Sequence, residues 1–150
     1  MISTNASGEK AFHLKVITPD RVIFDGSAES MQLPAHDGLL GILHNHAPMI
    51  ALLGTGVLRI APGGSDMFVS NGFVQVERND VRVVCDSGEK AEEIDLERAR
   101  AAEKRARERL GQQMKGEIDH ERASAAFRRA LLRQQIVERQ KRRRTEHGLR

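Results

Sequence analysis

Up to Lys90 the chain alternates apolar and polar residues in short runs, and after it apolar residues recur every third or fourth position. The first pattern is that of half-buried strands and the second that of amphipathic helices. Phe12–Ile17 alternates cleanly, and Thr18, Pro19 and Asp20 make a turn. Val22 to Phe24 predicts a strand that closes in a hairpin turn at Asp25 and Gly26, and Ser30 to Pro34 predicts another strand. The segment from Gly38 to Ile60 reads as strand, tight corner, strand, turn, strand. In it Gly38 and Gly41 suit bends or close approach, Asn45 tolerates the left-handed region, and Pro48 bars a helix. Pro62, Gly63 and Gly64 make a turn. Met67 to Val69, Phe73 to Val76 and Val81 to Val84 are predicted as three short strands, separated at Asn71-Gly72 and Asn79-Asp80. Short strands at this spacing indicate a sandwich or barrel.

From Ala91 the period is helical. Ala99, Ala102, Ala106 and Leu110 form one stripe. Gly111 and Gly116 flank a break, and Asp119 is the expected N-cap of a second helix reaching about Arg143, roughly 37 Å at 1.5 Å per residue. Ala123, Ala126, Phe127, Ala130, Leu131 and Val137 form its apolar face. The expected fold is α+β: an N-terminal antiparallel β-sandwich over 11–87, then a C-terminal α-helical hairpin over 88–145. Six buried alanine methyls are worth about 5 kcal/mol at best, so this hairpin opens at low cost.

Composition sharpens the division. Residues 1–89 carry six Lys/Arg against ten Asp/Glu, a net −4, whereas 90–150 carry eighteen against eleven, a net +7. The 150 residues contain no Trp or Tyr, so the core rests on aliphatic side chains. No apolar run approaches the ~18 residues of a membrane span, and residues 1–10 lack the apolar centre of an export signal. Cys85 is the sole cysteine, which fits a reducing compartment.

Three constellations could carry chemistry. Arg98 and Arg105 share a face of the first helix, Asp95 precedes Arg98 by a turn, and Arg129 and Arg133 are neighbours on the second. Folded as a hairpin, these arginines could surround an anion, since guanidinium forks suit phosphate oxygens. Spacing alone leaves a solvated basic face as the other reading. His44 and His46 could share a strand face as a metal pair, but Cys85 adds no obvious third ligand, and a turn or partner contact is the simpler reading. Lys141 to Arg144 is a cationic run that could meet nucleic acid or anionic lipid, but a solvated helix end or a tip that meets an acidic partner surface is the simpler reading. No nucleophile–base pair and no phosphate-binding lysine motif is present, so no catalytic site is expected.

Gly41-Ile42-Leu43 followed by His46-Ala47-Pro48, then Gly56-Val57-Leu58-Arg59-Ile60, resembles the epsilon subunit of the F-type proton-translocating ATP synthase. The resemblance runs from about Phe12 to about Arg139, with His44-Asn45 where the family usually has Pro-Gly. It implies a non-catalytic subunit of the central stalk, peripheral on the cytoplasmic face of a bacterial plasma membrane. Its sandwich would bind the gamma subunit and the c subunits of the rotor ring, with Leu39, His46 and Pro48 as interface candidates. Its hairpin would be regulatory: docked it permits ATP hydrolysis, and extended it meets the alpha/beta catalytic hexamer and blocks it. Ile94, Asp95, Arg98, Ala99, Arg105, Arg129 and Arg133 match the family's ATP-binding pattern in residue type, with ATP a regulatory ligand rather than a required cofactor. By this reading nucleic acid is not a partner. The competing class is a stand-alone binding module whose basic helical tail binds nucleic acid or anionic membrane.

Overall fold

The computed structural model describes residues 10–63, 65–112 and 116–148, and, within those, all side chains but those of residues 65, 117 and 118. Residues 1–9, and Gly64 of the predicted turn, lie outside the described residues. The chain divides into two compact units between Lys90 and Ala91.

The first unit is all β. Its strands are β1 (Phe12–Ile17), β2 (Val22–Ala28), β3 (Ser30–Ala35), β4 (Gly38–Leu43), β5 (Met49–Leu53), β6 (Gly56–Ala61), β7 (Ser65–Glu77) and β8 (Asp80–Lys90). The ladder runs β2-β1-β8-β7-β5-β3-β4, and β6 closes it by pairing with both β3 and β7. The sheet therefore folds over into two layers that face each other. Alternation puts Leu14, Val16, Met31, Leu33, Ile42 and Leu58 between them, all fully buried. Each such side chain contributes about 2 kcal/mol of burial, so aliphatics carry most of the core, with Phe12 packed among them.

Four features differ from expectation. Asp25 and Gly26 do not turn; they sit inside β2, paired with Lys15 and Leu14. The predicted strands at 67–69 and 73–76 are one strand of 13 residues, β7. Asn71 and Gly72 take positive φ, 51° and 135°; the ladder skips Asn71 and resumes at Gly72 in the same register, so turn-forming residues here bend a strand. The first half of β7 pairs with β6 and the second with β5, so this bend carries β7 from one layer to the other. One pair is not antiparallel: β1 and β8 run parallel. No hairpin joins two strands so distant in the chain, so nothing local imposes an antiparallel direction. Last, Gly38 does need its positive φ of 133°, but a side chain at Gly41 would meet open space.

The second unit opens with a 3-10 turn, Ala91–Glu93, followed by α1 (Leu96–Gly111) and α2 (Glu117–Gly148). Asp95 caps α1, its Oδ1 accepting from Arg98 N at 3.0 Å. Asp119 is not the N-cap of α2: the helix starts two residues earlier, just after Gly116 at φ 116°. It is also longer than predicted, 32 residues and about 48 Å, because neither Gly nor Pro occurs before Gly148 to stop it. The helices pack on each other through Ala99 and Ala106 of α1 and Ala123 and Ala130 of α2, all buried. Val137 is buried as expected; Ile136, which the predicted face omitted, is too.

Candidate functional site

Three contacts fix how α1 lies along α2. Gln134 Nε2 donates to Glu103 Oε2 at 3.0 Å, the Arg107 guanidinium lies 5.8 Å over the Phe127 ring, and Gln140 Nε2 donates to Glu92 Oε1 at 2.6 Å. Arg105, between Glu103 and Arg107, therefore stands level with the stretch from Phe127 to Gln134, where Arg129 and Arg133 are. Arg98, between Glu92 and Glu103, stands beyond Gln134, about one helical turn (~6 Å) from the level of Arg133.

The flank follows from the helical period. Arg98 and Arg105 each precede a seam alanine, Ala99 or Ala106, whereas Arg107 follows Ala106 and turns the other way, onto Phe127. On α2, Arg129 precedes the seam residue Ala130, and Arg133 precedes Gln134, which faces Glu103. The four arginines thus lie along the flank of the hairpin opposite the Arg107–Phe127 stack. Two carboxylates of α1 pair with other arginines: Glu97 with Arg100 at 3.1 Å, and Glu103 with Arg107. Arg98 and Arg105 are exposed, while Arg129 and Arg133 are half-buried. Ile94 and Ala99 are buried, Ala99 in the seam between the helices. Asp95 already spends one carboxylate oxygen on the helix cap. The arrangement is a row of cations along one flank, which suits an elongated anion.

The sandwich carries a second feature that sequence reading missed. Leu52 faces Phe73, Phe73 faces Val84, Val84 faces Ile17, and Ile17 faces Val22. These five side chains point away from the core and form an apolar row across five strands. Leu52 is 65% exposed, Phe73 40% and Val22 48%. Each strand showed its own outward apolar residue, but only the register of four ladders aligns them, and register has no local signal. Next to this row Ile50 is also exposed.

The predicted interface residues do not form one patch. His46 and Pro48 sit in the corner between β4 and β5, where His46 Nδ1 bonds Ala47 O at 2.8 Å. Leu39, 77% exposed, stands at the other end of β4, roughly 13 Å along the strand from Leu43. There it pairs with Pro34. Among the described residues no group of three or more His, Cys, Asp and Glu could hold a metal. Cys85 is buried in the core, its Sγ 3.6 Å from Ile17 O, and burial pushes its thiol up to about 11, with Asp86 adding to the shift. Such a thiol is a packing group, not a nucleophile. No helix among the described residues is long and apolar enough to cross a membrane.

Comparison with known proteins agrees along the length of the chain. Residues 11–91 match the family described as ATP synthase, Delta/Epsilon chain, beta-sandwich domain, and residues 92–138 match ATP synthase, Delta/Epsilon chain, long alpha-helix domain. The chain is 40% identical over 130 residues to the ATP synthase epsilon chain of Nitratidesulfovibrio vulgaris strain DP4, covering 85% of this chain and 96% of that one. It is 46% identical over 123 residues to the ATP synthase epsilon chain of Symbiobacterium thermophilum, covering 80% and 88%. In fold it resembles a chain in the cryo-EM structure of the Euglena gracilis mitochondrial ATP synthase in rotational state 1, with TM-score 0.65, 23% identity and coverage of 76% and 73%.

Proposed function

Since the chain belongs to the epsilon chains of ATP synthase, we propose that it works in the central stalk, where the sandwich seats it on the rotor and the hairpin regulates hydrolysis. The seat is the apolar row of Leu52, Phe73, Val84, Ile17 and Val22, and its natural occupant is the gamma subunit. This row is the single observation that carries the reading. Three of its five side chains are well exposed, and covering a leucine or phenylalanine is worth about 2 kcal/mol, so a partner that buried the row would gain most of an ordinary affinity from it. The c subunits of the rotor ring meet the corner that carries His46 and Pro48. The chain itself is non-catalytic and peripheral, on the cytoplasmic face of the membrane.

In the hairpin, the arginine flank holds ATP as a regulatory ligand. Arg98, Arg105, Arg129 and Arg133 take the phosphates, while Ile94 and Ala99 support the adenosine and Asp95 orients it. ATP favours the folded hairpin to the extent that it binds that state more tightly than the open one. Opened, α2 presents Arg128, Arg129 and Arg133, with Lys141 to Arg144 beyond, to acidic surfaces of the alpha/beta hexamer.

The test of the seat is co-purification. Full-length chain carrying Leu52→Asp and Phe73→Asp is expected to lose gamma while keeping its fold, as both positions face outward. Full retention of gamma by this variant would overturn the assignment. The competing stand-alone module predicts no such partners at all.

A further inference from the structure

His13 stands on β1 between the two strands that flank it in the sheet. Its Nε2 lies 2.6 Å from Asp25 Oδ1 on β2, and its Nδ1 lies 2.9 Å from Asp80 Oδ1 on β8. A neutral imidazole carries one N–H and an ionised carboxylate carries none, so both bonds are made together only by the doubly protonated ring. The cross-strand register makes this arrangement structural rather than incidental. His13 pairs with Ser27 of β2 and Asp80 of β8, so its side chain projects from the same face as both carboxylates. Its backbone N also donates to Asn79 O at 2.8 Å, in the turn that joins β7 to β8.

Among the described residues β2 is the end of the ladder and pairs only with β1. It lacks the second row of backbone bonds that holds an interior strand. Side-chain bonds across the β1–β2 seam therefore count for more there than elsewhere in the sheet. We propose that His13 is a proton-operated latch, fastening edge strand β2 and the start of β8 to β1 when its imidazole is charged and releasing one of them when it is not. The proposal is independent of the rotor and ATP readings.

The charged neighbours modulate the latch without replacing it. On β1 itself Lys15 Nζ lies 3.9 Å from Asp25 Oδ2, and on β8 Arg82 lies 3.5 Å from Asp80 Oδ2. From β7, Glu77 stands opposite Asp80, with Arg78 following in the turn. Lys15 and Arg82 engage the second oxygen of each carboxylate, leaving the first to His13.

The hydrogen bond to Asp25, and then that to Asp80, hold the imidazole above its ordinary 6.5, with burial opposing them. The same bond to His13 holds Asp25 below its ordinary 3.8. The stability lent by His13 is fully present below 6.5 and is lost as pH rises through its raised value; that lent by Asp25 is present above 3.8 and is lost as pH falls through its lowered value. The latch is therefore closed in mildly acid solution and opens on the alkaline side of 6.5.

NMR titration of the full chain tests this directly, with His13→Gln assigning the resonance among the six histidines. The His13 midpoint is expected above 6.5, and Asp25→Asn and Asp80→Asn should each lower it by about half a unit or more. Both variants are at exposed or half-exposed positions, so the fold survives them. In thermal melts the gap between wild type and Asp25→Asn should be present near about pH 5.5 and shrink by about half or more near about pH 8.5. A His13 midpoint at or below 6.5, or a melting gap that is flat across this range, would overturn the latch.

Discussion

Asn45 and Asn79, 34 residues apart in the chain, hold each other by two hydrogen bonds: Asn45 N donates to Asn79 Oδ1 at 2.7 Å, and Asn79 Nδ2 donates to Asn45 Oδ1 at 2.9 Å. Both residues are left-handed, at φ 60° and 58°, a region that asparagine enters more cheaply than most residues. The pair staples the β4–β5 corner, which carries His46, to the β7–β8 turn. Glycine at position 45 would allow the same backbone but could not return the second bond, so this corner is held by a side chain.

The staple predicts coupling. Asn45→Gly and Asn79→Gly should each weaken the fold modestly, and together they should lose about 1 kcal/mol less than the sum of the two, measured by urea denaturation. Strict additivity would mean that the two side chains do not cooperate.

At Gly72 the backbone has φ 135°, and a methyl group there would run into the Val84 carbonyl oxygen on the paired strand. Gly72→Ala should therefore cost at least about 3 kcal/mol, since neither the conformation nor the ladder can yield. The same change at Gly41, where a side chain meets open space, should stay within about 1 kcal/mol and serves as the control.

Burial of Cys85 raises its thiol to about 11, so the native protein should be inert to a thiol reagent at neutral pH and should react once denaturant exposes the core. Rapid labelling of the native chain would show that the β1–β8 region opens far more readily than its packing implies.

The strands and the two-part division were legible because a strand with one buried face writes its burial into every second residue. Phe12–Ile17 is the plainest case: Phe12, Leu14 and Val16 are buried and His13 is exposed. What stayed illegible depends on partners distant in sequence. Asn71 and Gly72 are turn residues by type, and only pairing with β8 on both sides of them makes one bent strand of β7. Asp25 looked like a hairpin turn because the ladder to Lys15 was invisible. In the helices, the arginines could be placed on shared faces from spacing, but the contacts that set the helices in register, Glu103 with Gln134 and Arg107 with Phe127, involve residues with no local mark.

The arginine flank predicts saturable ATP binding to the full chain in titration calorimetry up to millimolar nucleotide. Arg129→Ala and Arg133→Ala should each weaken it about tenfold or more. Asp95→Asn preserves helix capping and so separates a contact with adenosine from the ~1 kcal/mol that an alanine there would take from the helix. No heat at millimolar ATP would remove the nucleotide site.

The regulatory claim is tested most directly by ATP hydrolysis of the assembled synthase with full-length chain or with a chain ending before Gly116, which lacks α2. Truncation is expected to raise hydrolysis severalfold while gamma and the c ring remain bound. Unchanged hydrolysis in a correctly assembled enzyme would contradict an inhibitory helix.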